Sequence, residues 1–202
     1  MCKNYGFDEY EGFVGEVQKF NGLIFYLREA NTNTEKPKEF WFQRITTEWE
    51  TYYEELKECG VTLDKIATNK KIATRFKNEF ERIIKQLNLK KKLTNCAFCN
   101  VNANGGGSEV KRPYQDALKN AHKKMERIIN CVPSQEITII TCRDIYTKLK
   151  ASWKEMNMET YNTGIKYDNG DKEYFCCQIG SKRVFVYEMY HPSRRRIKLL
   201  DI

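Results

Sequence analysis

Apolar and polar positions along this chain fall into alternating blocks, a pattern typical of α/β proteins. Continuous apolar runs closed by polar residues predict buried strands. A hairpin-like Gly180-Ser181 joins the last two of them. The strands are expected at about Leu23–Leu27, Cys96–Val101, Ile137–Cys142, Tyr174–Ile179 and Val184–Tyr190.

Between these runs, apolar residues recur at helical spacing. The predicted helices span about Thr47–Glu58, Leu63–Leu89, Pro113–Cys131 and Ile145–Lys154, and a polar excursion spans Asn157–Lys172. Strands that alternate with amphipathic helices favour a parallel sheet covered on both faces. We therefore expect one domain over residues 1–202, with a helical insertion at about 46–92. The predicted class is α/β, a three-layer α/β/α sandwich with a central, mainly parallel four-stranded sheet.

The chain is basic, with a net charge of +8 over 202 residues. Positive charge is concentrated in Lys90–Lys92, Lys119–Arg127 and Arg194–Lys198. Such clusters favour polyanions, nucleic acid first and an anionic membrane surface second. Solvated helix faces explain the first two clusters equally well, whereas the third adjoins a histidine turn.

No apolar run approaches the roughly 18 residues of a membrane-spanning helix, and the charged N-terminus does not resemble a signal peptide. We expect a cytoplasmic monomer without a membrane partner. The eight cysteines include Cys96-x-x-Cys99, but positions three apart on a strand point to opposite faces. We therefore predict buried thiols, with no metal and no cofactor.

The polar residues that follow the strands are the candidate functional groups. Ligands of open parallel sheets bind outside the carboxyl ends of the strands. The tips in question are Arg28-Glu29-Ala30-Asn31-Thr32, Asn100–Gly107, Thr141–Asp144 and His191-Pro192-Ser193-Arg194. One edge would then hold a carboxylate, a carboxamide, an imidazole and arginines, which suits chemistry on a nucleobase taken out of its stack.

His191-Pro192-Ser193 is the most specific of these elements. It follows the apolar run that ends at Tyr190 and leads directly into Arg194, Arg195 and Arg196. Proline cannot continue a central strand, so the chain must turn there. The turn presents one of the chain's two histidines beside a hydroxyl and three cations.

Taken in order, these motifs resemble the three-motif layout of the uracil-DNA glycosylase superfamily. A strand followed by Arg-Glu-Ala-Asn-Thr, a strand followed by Asn100, and a strand followed by His-Pro-Ser span about Leu23 to Arg196. The resemblance implies hydrolysis of the glycosidic bond of a damaged or modified, uracil-type base flipped out of DNA.

The resemblance also implies residue roles. Glu29 would activate water and His191 would stabilise the departing base anion. Asn100 would read the base, with Asn31 and the aromatic Phe40 beside it. The DNA backbone would be held by Ser193 and by the arginines Arg28, Arg194, Arg195 and Arg196.

Arg28, Asn31 and Thr32 replace the glycine, proline and glycine of that family's first motif. This difference keeps a second hypothesis open, a catalytically inactive glycosylase-fold module that binds nucleic acid or a nucleotide. A third hypothesis is a protein whose basic patches meet an acidic protein surface.

Overall fold

The computed structural model of the protein describes residues 5–8, 11–29, 62–102, 112–167 and 170–189. Within these ranges the chain forms a seven-stranded sheet and four α-helices. The strands are β1 Gly12–Phe13, β2 Leu23–Glu29, β3 Ala97–Asn102, β4 Glu136–Thr141, β5 Glu159–Tyr167, β6 Gly170–Ile179 and β7 Lys182–Glu188. The helices are α1 Leu63–Gln86, α2 Arg112–Lys119, α3 Ala121–Cys131 and α4 Arg143–Ser152.

The sheet is mixed, with the strand order β1-β3-β2-β4-β7-β6-β5. Strands β3, β2, β4 and β7 are neighbours and run parallel. Strand β1 pairs antiparallel with β3, and β6 and β5 continue the sheet antiparallel beyond β7. The predicted α/β class is confirmed, but the sheet has seven strands and is less parallel than the expected four-stranded one.

Strand β5 accounts for part of this difference, because it lies in the segment Asn157–Lys172 that the polarity pattern assigns to an excursion. It is the last strand of the sheet and pairs only with β6 among the described strands. Its side chains are largely solvent-facing, with Tyr161 40% exposed. An edge strand held by backbone pairing needs no apolar run, so periodicity did not detect it.

The helices largely follow the predicted periodicity, with one correction. The helix expected from Pro113 to Cys131 is two helices, α2 and α3, interrupted at Asn120, where φ is −107° and ψ is 9°. Asparagine competes for backbone hydrogen bonds and is a poor helix-interior residue. The predicted helix Thr47–Glu58 lies outside the described residues, as does the first part of the predicted insertion.

Two apolar cores lie on opposite faces of the sheet, as the alternation of side chains along each strand requires. On one face, Ile24 and Tyr26 of β2 pack with Met125 and Ile128 of α3. The other face is covered by α1 and belongs to a second cluster. Helical residues therefore cover both faces of the parallel strands, which favours parallel pairing.

The core beneath α1 is built on three phenylalanines from different elements. The Phe25 ring centroid lies 4.5 Å from that of Phe80 and 5.0 Å from that of Phe98. All three side chains are at most 1% exposed. This cluster fixes α1 against β2 and β3.

Replacing Phe80 by alanine is expected to lower the free energy of unfolding by about 3–5 kcal/mol, because a large cavity opens in this core. Urea denaturation measures the loss. The matched control is Lys77→Ala on the exposed side of the same helix, which should change stability by less than about 0.5 kcal/mol. Equal effects of the two substitutions would contradict this placement of α1.

Candidate functional site

The structure describes the ends of β2, β3 and β4, and these predicted strand tips meet at one edge of the sheet. Leu27 of β2 pairs with Asn100 of β3, and the Glu29 backbone pairs with Asn102. The Arg28 Nε lies 3.0 Å from an Asp144 carboxylate oxygen just beyond β4. These contacts join the tips of β2, β3 and β4.

The fourth tip is described only up to the end of its strand. Glu188, the last residue of β7, pairs with Thr141 at the end of β4, so β7 ends at the same edge. His191, Ser193 and Arg194–Arg196 lie outside the described residues, as do Asn31 and Phe40. The backbone alone of Glu29 is described.

Asn100 has the most unusual surroundings of the predicted site residues. It is 1% exposed, and neither Oδ1 nor Nδ2 of its carboxamide has a hydrogen-bond partner within the described part of the chain. Buried polar groups are nearly always paired, and leaving one unpaired costs about 1–3 kcal/mol. Asn100 therefore keeps a donor and an acceptor unused at the carboxyl end of a parallel strand.

An ion pair holds the backbone of Asn100. Its N–H donates to Glu11 Oε1 over 2.6 Å, and its carbonyl oxygen accepts from Lys124 Nζ over 2.8 Å. Lys124 Nζ also lies 2.8 Å from Glu11 Oε1. Because β1 pairs only with Ala97 and Phe98 of β3, the two charged side chains take the place that a neighbouring strand would occupy at Asn100.

This ion pair is shielded from solvent. The Glu11 side chain is 0% exposed and the Lys124 side chain 12%. A second carboxylate, Asp8, lies 2.5 Å from Lys124 Nζ. Burial lowers the pKa of Lys124, but Glu11 and the other neighbouring groups outweigh it and raise the pKa above its ordinary value. Lys124 is therefore a charged, fully engaged donor.

Sequence reasoning did not identify Glu11 or Lys124. Lys124 lies in the basic run Lys119–Arg127, for which we considered a solvated helix face or a polyanion contact. The helical spacing offers a weak signal, because Lys124 directly precedes the buried Met125. Its carboxylate partner is 113 residues away in sequence, so no local pattern links them.

Arg28 is held by the protein itself. Its guanidinium contacts Asp144, and the Tyr114 hydroxyl donates to the same carboxylate over 2.6 Å. Burial lowers the pKa of Arg28, but Asp144 outweighs this and raises it, while burial raises the pKa of Tyr114. One third of the Arg28 side chain stays exposed, so a DNA contact would have to share the guanidinium with Asp144.

The cysteines of the Cys96-x-x-Cys99 motif lie on opposite faces of the sheet, in different cores. The Cys96 thiol donates to the Leu93 carbonyl over 2.9 Å. Burial raises the pKa of both thiols. Within the described ranges, no group of three or more His, Cys, Asp or Glu residues is arranged to hold a metal ion, and none of the helices there combines the length and apolar character needed to cross a membrane.

Comparisons with protein-family models, with curated proteins and with solved structures gave no match for this chain. The resemblance to uracil-DNA glycosylases therefore stays a prediction based on the residues quoted above.

Replacing Lys124 by methionine removes the ammonium but keeps most of the side-chain length. The buried Glu11 carboxylate then lacks its counter-charge, so we expect a loss of about 3–5 kcal/mol in the free energy of unfolding. Lys123→Met, an exposed neighbour on the same helix, is the control and should change stability by less than about 0.5 kcal/mol. Similar urea midpoints for both variants would rule out a structural role for the ion pair.

The contribution of Lys124 has a defined pH dependence. Its pKa is higher in the folded state than the ordinary value of 10.5, so its stabilising effect is complete below that pH and is lost as pH rises through the folded-state pKa. The stability difference between wild type and Lys124→Met should therefore not shrink as pH rises through the neutral range, and it should shrink only in strong alkali. A difference that already falls near neutrality would contradict this assignment.

Proposed function

We propose that the protein is a DNA N-glycosylase-like hydrolase with a three-layer α/β/α fold, acting on a damaged or modified base of the uracil type. The observation that carries the proposal is the carboxamide of Asn100 near the carboxyl end of β3, which has no hydrogen-bond partner among the described residues. A pyrimidine such as uracil presents an N–H donor next to a carbonyl acceptor. One carboxamide satisfies both groups, since it accepts through Oδ1 and donates through Nδ2.

The spacing of Glu29 and Asn100 supports a shared site. Asn100 pairs with Leu27, so Glu29 lies on the adjacent strand two residues closer to the sheet edge. Strand spacing and rise per residue put the two Cα atoms about 8 Å apart. A nucleotide held between them would have its base at Asn100 and its sugar towards Glu29.

In the proposed reaction the water oxygen forms a bond to the sugar C1′ and the bond from C1′ to the base nitrogen breaks. Its electron pair leaves with the base. The Glu29 carboxylate orients the water and takes its proton. His191 stabilises the negative charge on the departing base. Neither a metal nor a cofactor takes part in this scheme.

The DNA contacts in this proposal are Ser193 and Arg194–Arg196, which follow β7 in sequence, with Arg28 beside them. The chain has 35 Lys and Arg residues and 27 Asp and Glu residues, and this excess of positive charge supports a polyanionic partner. Affinity for DNA should then fall steeply as salt increases. We propose that the protein acts as a cytoplasmic monomer.

The burial of the Asn100 carboxamide favours a second candidate function. Because Asn100 is only 1% exposed, a base reaches its carboxamide only after neighbouring groups move. A glycosylase-fold module that binds nucleic acid or a nucleotide without cleaving it would not need that movement.

The decisive experiment incubates the protein with oligonucleotides that carry different modified bases and detects free base by mass spectrometry. The wild type should release at least one base. His191→Ala and Glu29→Gln should each reduce the rate by about 10²-fold or more. DNA affinity without release of any base would favour the binding module, and full activity of His191→Ala would remove that residue from the mechanism.

Asn100→Leu tests the base-reading role separately from folding. Leucine has a similar shape but no polar atoms, so the unpaired donor and acceptor disappear and stability should be unchanged or higher. Base release should nevertheless be lost. A variant that is clearly less stable than the wild type would show that the carboxamide supports the fold instead.

A further inference from the structure

A basic cleft lies between one side of α4 and the ends of β6 and β7. Its volume is about 530 Å³. The first residue of α4, Arg143, and the last residue of β7, Glu188, both line it. Because β4 and β7 end side by side, the cleft opens at the same sheet edge as Asn100.

The lining is positively charged overall. Among the lining residues that the structure describes, four cations outnumber two carboxylates, Glu173 and Glu188, and leave a net charge of +2. The cations are Arg143, Lys150, Lys154 and Lys172.

Two of these cations are committed to the carboxylates. Lys172 Nζ lies 2.7 Å from Glu188, and Lys150 Nζ lies 2.7 Å from Glu173. Both carboxylates are therefore already neutralised at short range. The excess positive charge of the cleft belongs to the remaining two cations.

Arg143 and Lys154 are exposed and loosely paired. Their side chains are 75% and 69% exposed, and among the described residues their nearest carboxylates lie 4.0 Å and 3.6 Å away, on Glu188 and Glu155. Exposed pairs at such distances contribute little. Both side chains are consequently available to a ligand that carries negative charge.

The cleft also contains a polar group that lacks a partner. Tyr146 is 4% exposed, and within the described part of the chain its buried hydroxyl has no hydrogen-bond partner. Lys150 Nζ lies over its ring, 5.7 Å from the centroid. Burial raises the pKa of Tyr146, and Glu173 and Glu188 raise it further, so the hydroxyl keeps its proton. The hydroxyl can therefore donate a hydrogen bond, but the described residues supply no acceptor for it.

We propose that this cleft binds a backbone phosphate of a nucleic-acid strand. Arg143 and Lys154 contact the phosphate oxygens, and the buried Tyr146 hydroxyl donates to one of them when the side chains that cover it move aside. An anionic oxygen supplies the acceptor that Tyr146 lacks and matches the excess cations. The identification of the strand as DNA rests on the proposed function. The residues that line the cleft are different from Asn100 and from the arginines proposed above to hold DNA.

The test measures binding of an unmodified oligonucleotide by fluorescence anisotropy over a range of salt concentrations. The double variant Arg143→Ala/Lys154→Ala should bind roughly tenfold more weakly at low salt, with a salt slope smaller by about 1–2. The matched control is Lys71→Ala/Lys77→Ala, which removes the same charge from exposed positions of α1. Equal affinities of the two double variants would overturn the proposal.

Tyr146→Phe tests the hydroxyl alone. The variant should lose several-fold in affinity while its Tm stays unchanged or rises, because an unpaired buried polar atom has been removed. A lower Tm would show that the hydroxyl supports the fold and would overturn its role in binding. Binding of inorganic phosphate without binding of the oligonucleotide would assign the cleft to a free anion and overturn the strand assignment.

These outcomes are independent of base release. If the cleft variants weaken binding of unmodified DNA while the wild type releases no base, the phosphate site stands and the glycosylase proposal fails. If bases are released but the cleft variants bind DNA like the control, the phosphate-site proposal is wrong and the glycosylase proposal stands.

Discussion

Parallel pairing of β3, β2, β4 and β7 is the constraint on which the rest of this structure depends. Parallel strands require long crossover connections, and both of their faces must be covered. The phenylalanine cluster beneath α1 and the core beneath α3 and α4 meet this requirement. The same pairing brings chain segments far apart in sequence, such as Arg28 and Asp144, to one edge of the sheet.

Polar groups at that edge are held by buried charges. The Glu11–Lys124 ion pair fixes the backbone of Asn100 without using its carboxamide, and the Lys172–Glu188 pair neutralises one side of the basic cleft. Buried ion pairs are costly to form and more costly to break. The first pair holds the backbone of Asn100, and the second lines the cleft together with Tyr146. The polar side-chain atoms of Asn100 and Tyr146 have no hydrogen-bond partner among the described residues.

The sequence predicts the strands that contain a continuous apolar run. Strands β2, β3 and β4 have such a run because they are buried on both faces. Strands β6 and β7 are predicted although mainly alternate residues of theirs are buried. Strand β5 was not predicted, since it lies at a polar edge. The interruption at Asn120 was also missed, because the apolar stripe continues across it from Tyr114 to Met125.

For the site, the ends of the predicted strands were enough to identify Asn100, and to place Arg28 and Asp144 at the same edge of the sheet. They were not a guide to Glu11, Tyr114 or Tyr146. Whether a carboxamide or hydroxyl has a partner depends on contacts between distant segments, and periodicity carries no information about them.

The buried cysteines have a consequence for how the protein responds to oxidants. A thiol reacts as its thiolate, and Cys96 and Cys99 are held protonated inside two separate cores. Peroxide or alkylating reagents therefore react with these sulfurs only in protein molecules whose core has opened. The labelling rate of Cys96 would then report how often the core on one face of the sheet opens, and that of Cys99 how often the core on the other face opens. Comparing the two rates shows which core opens first.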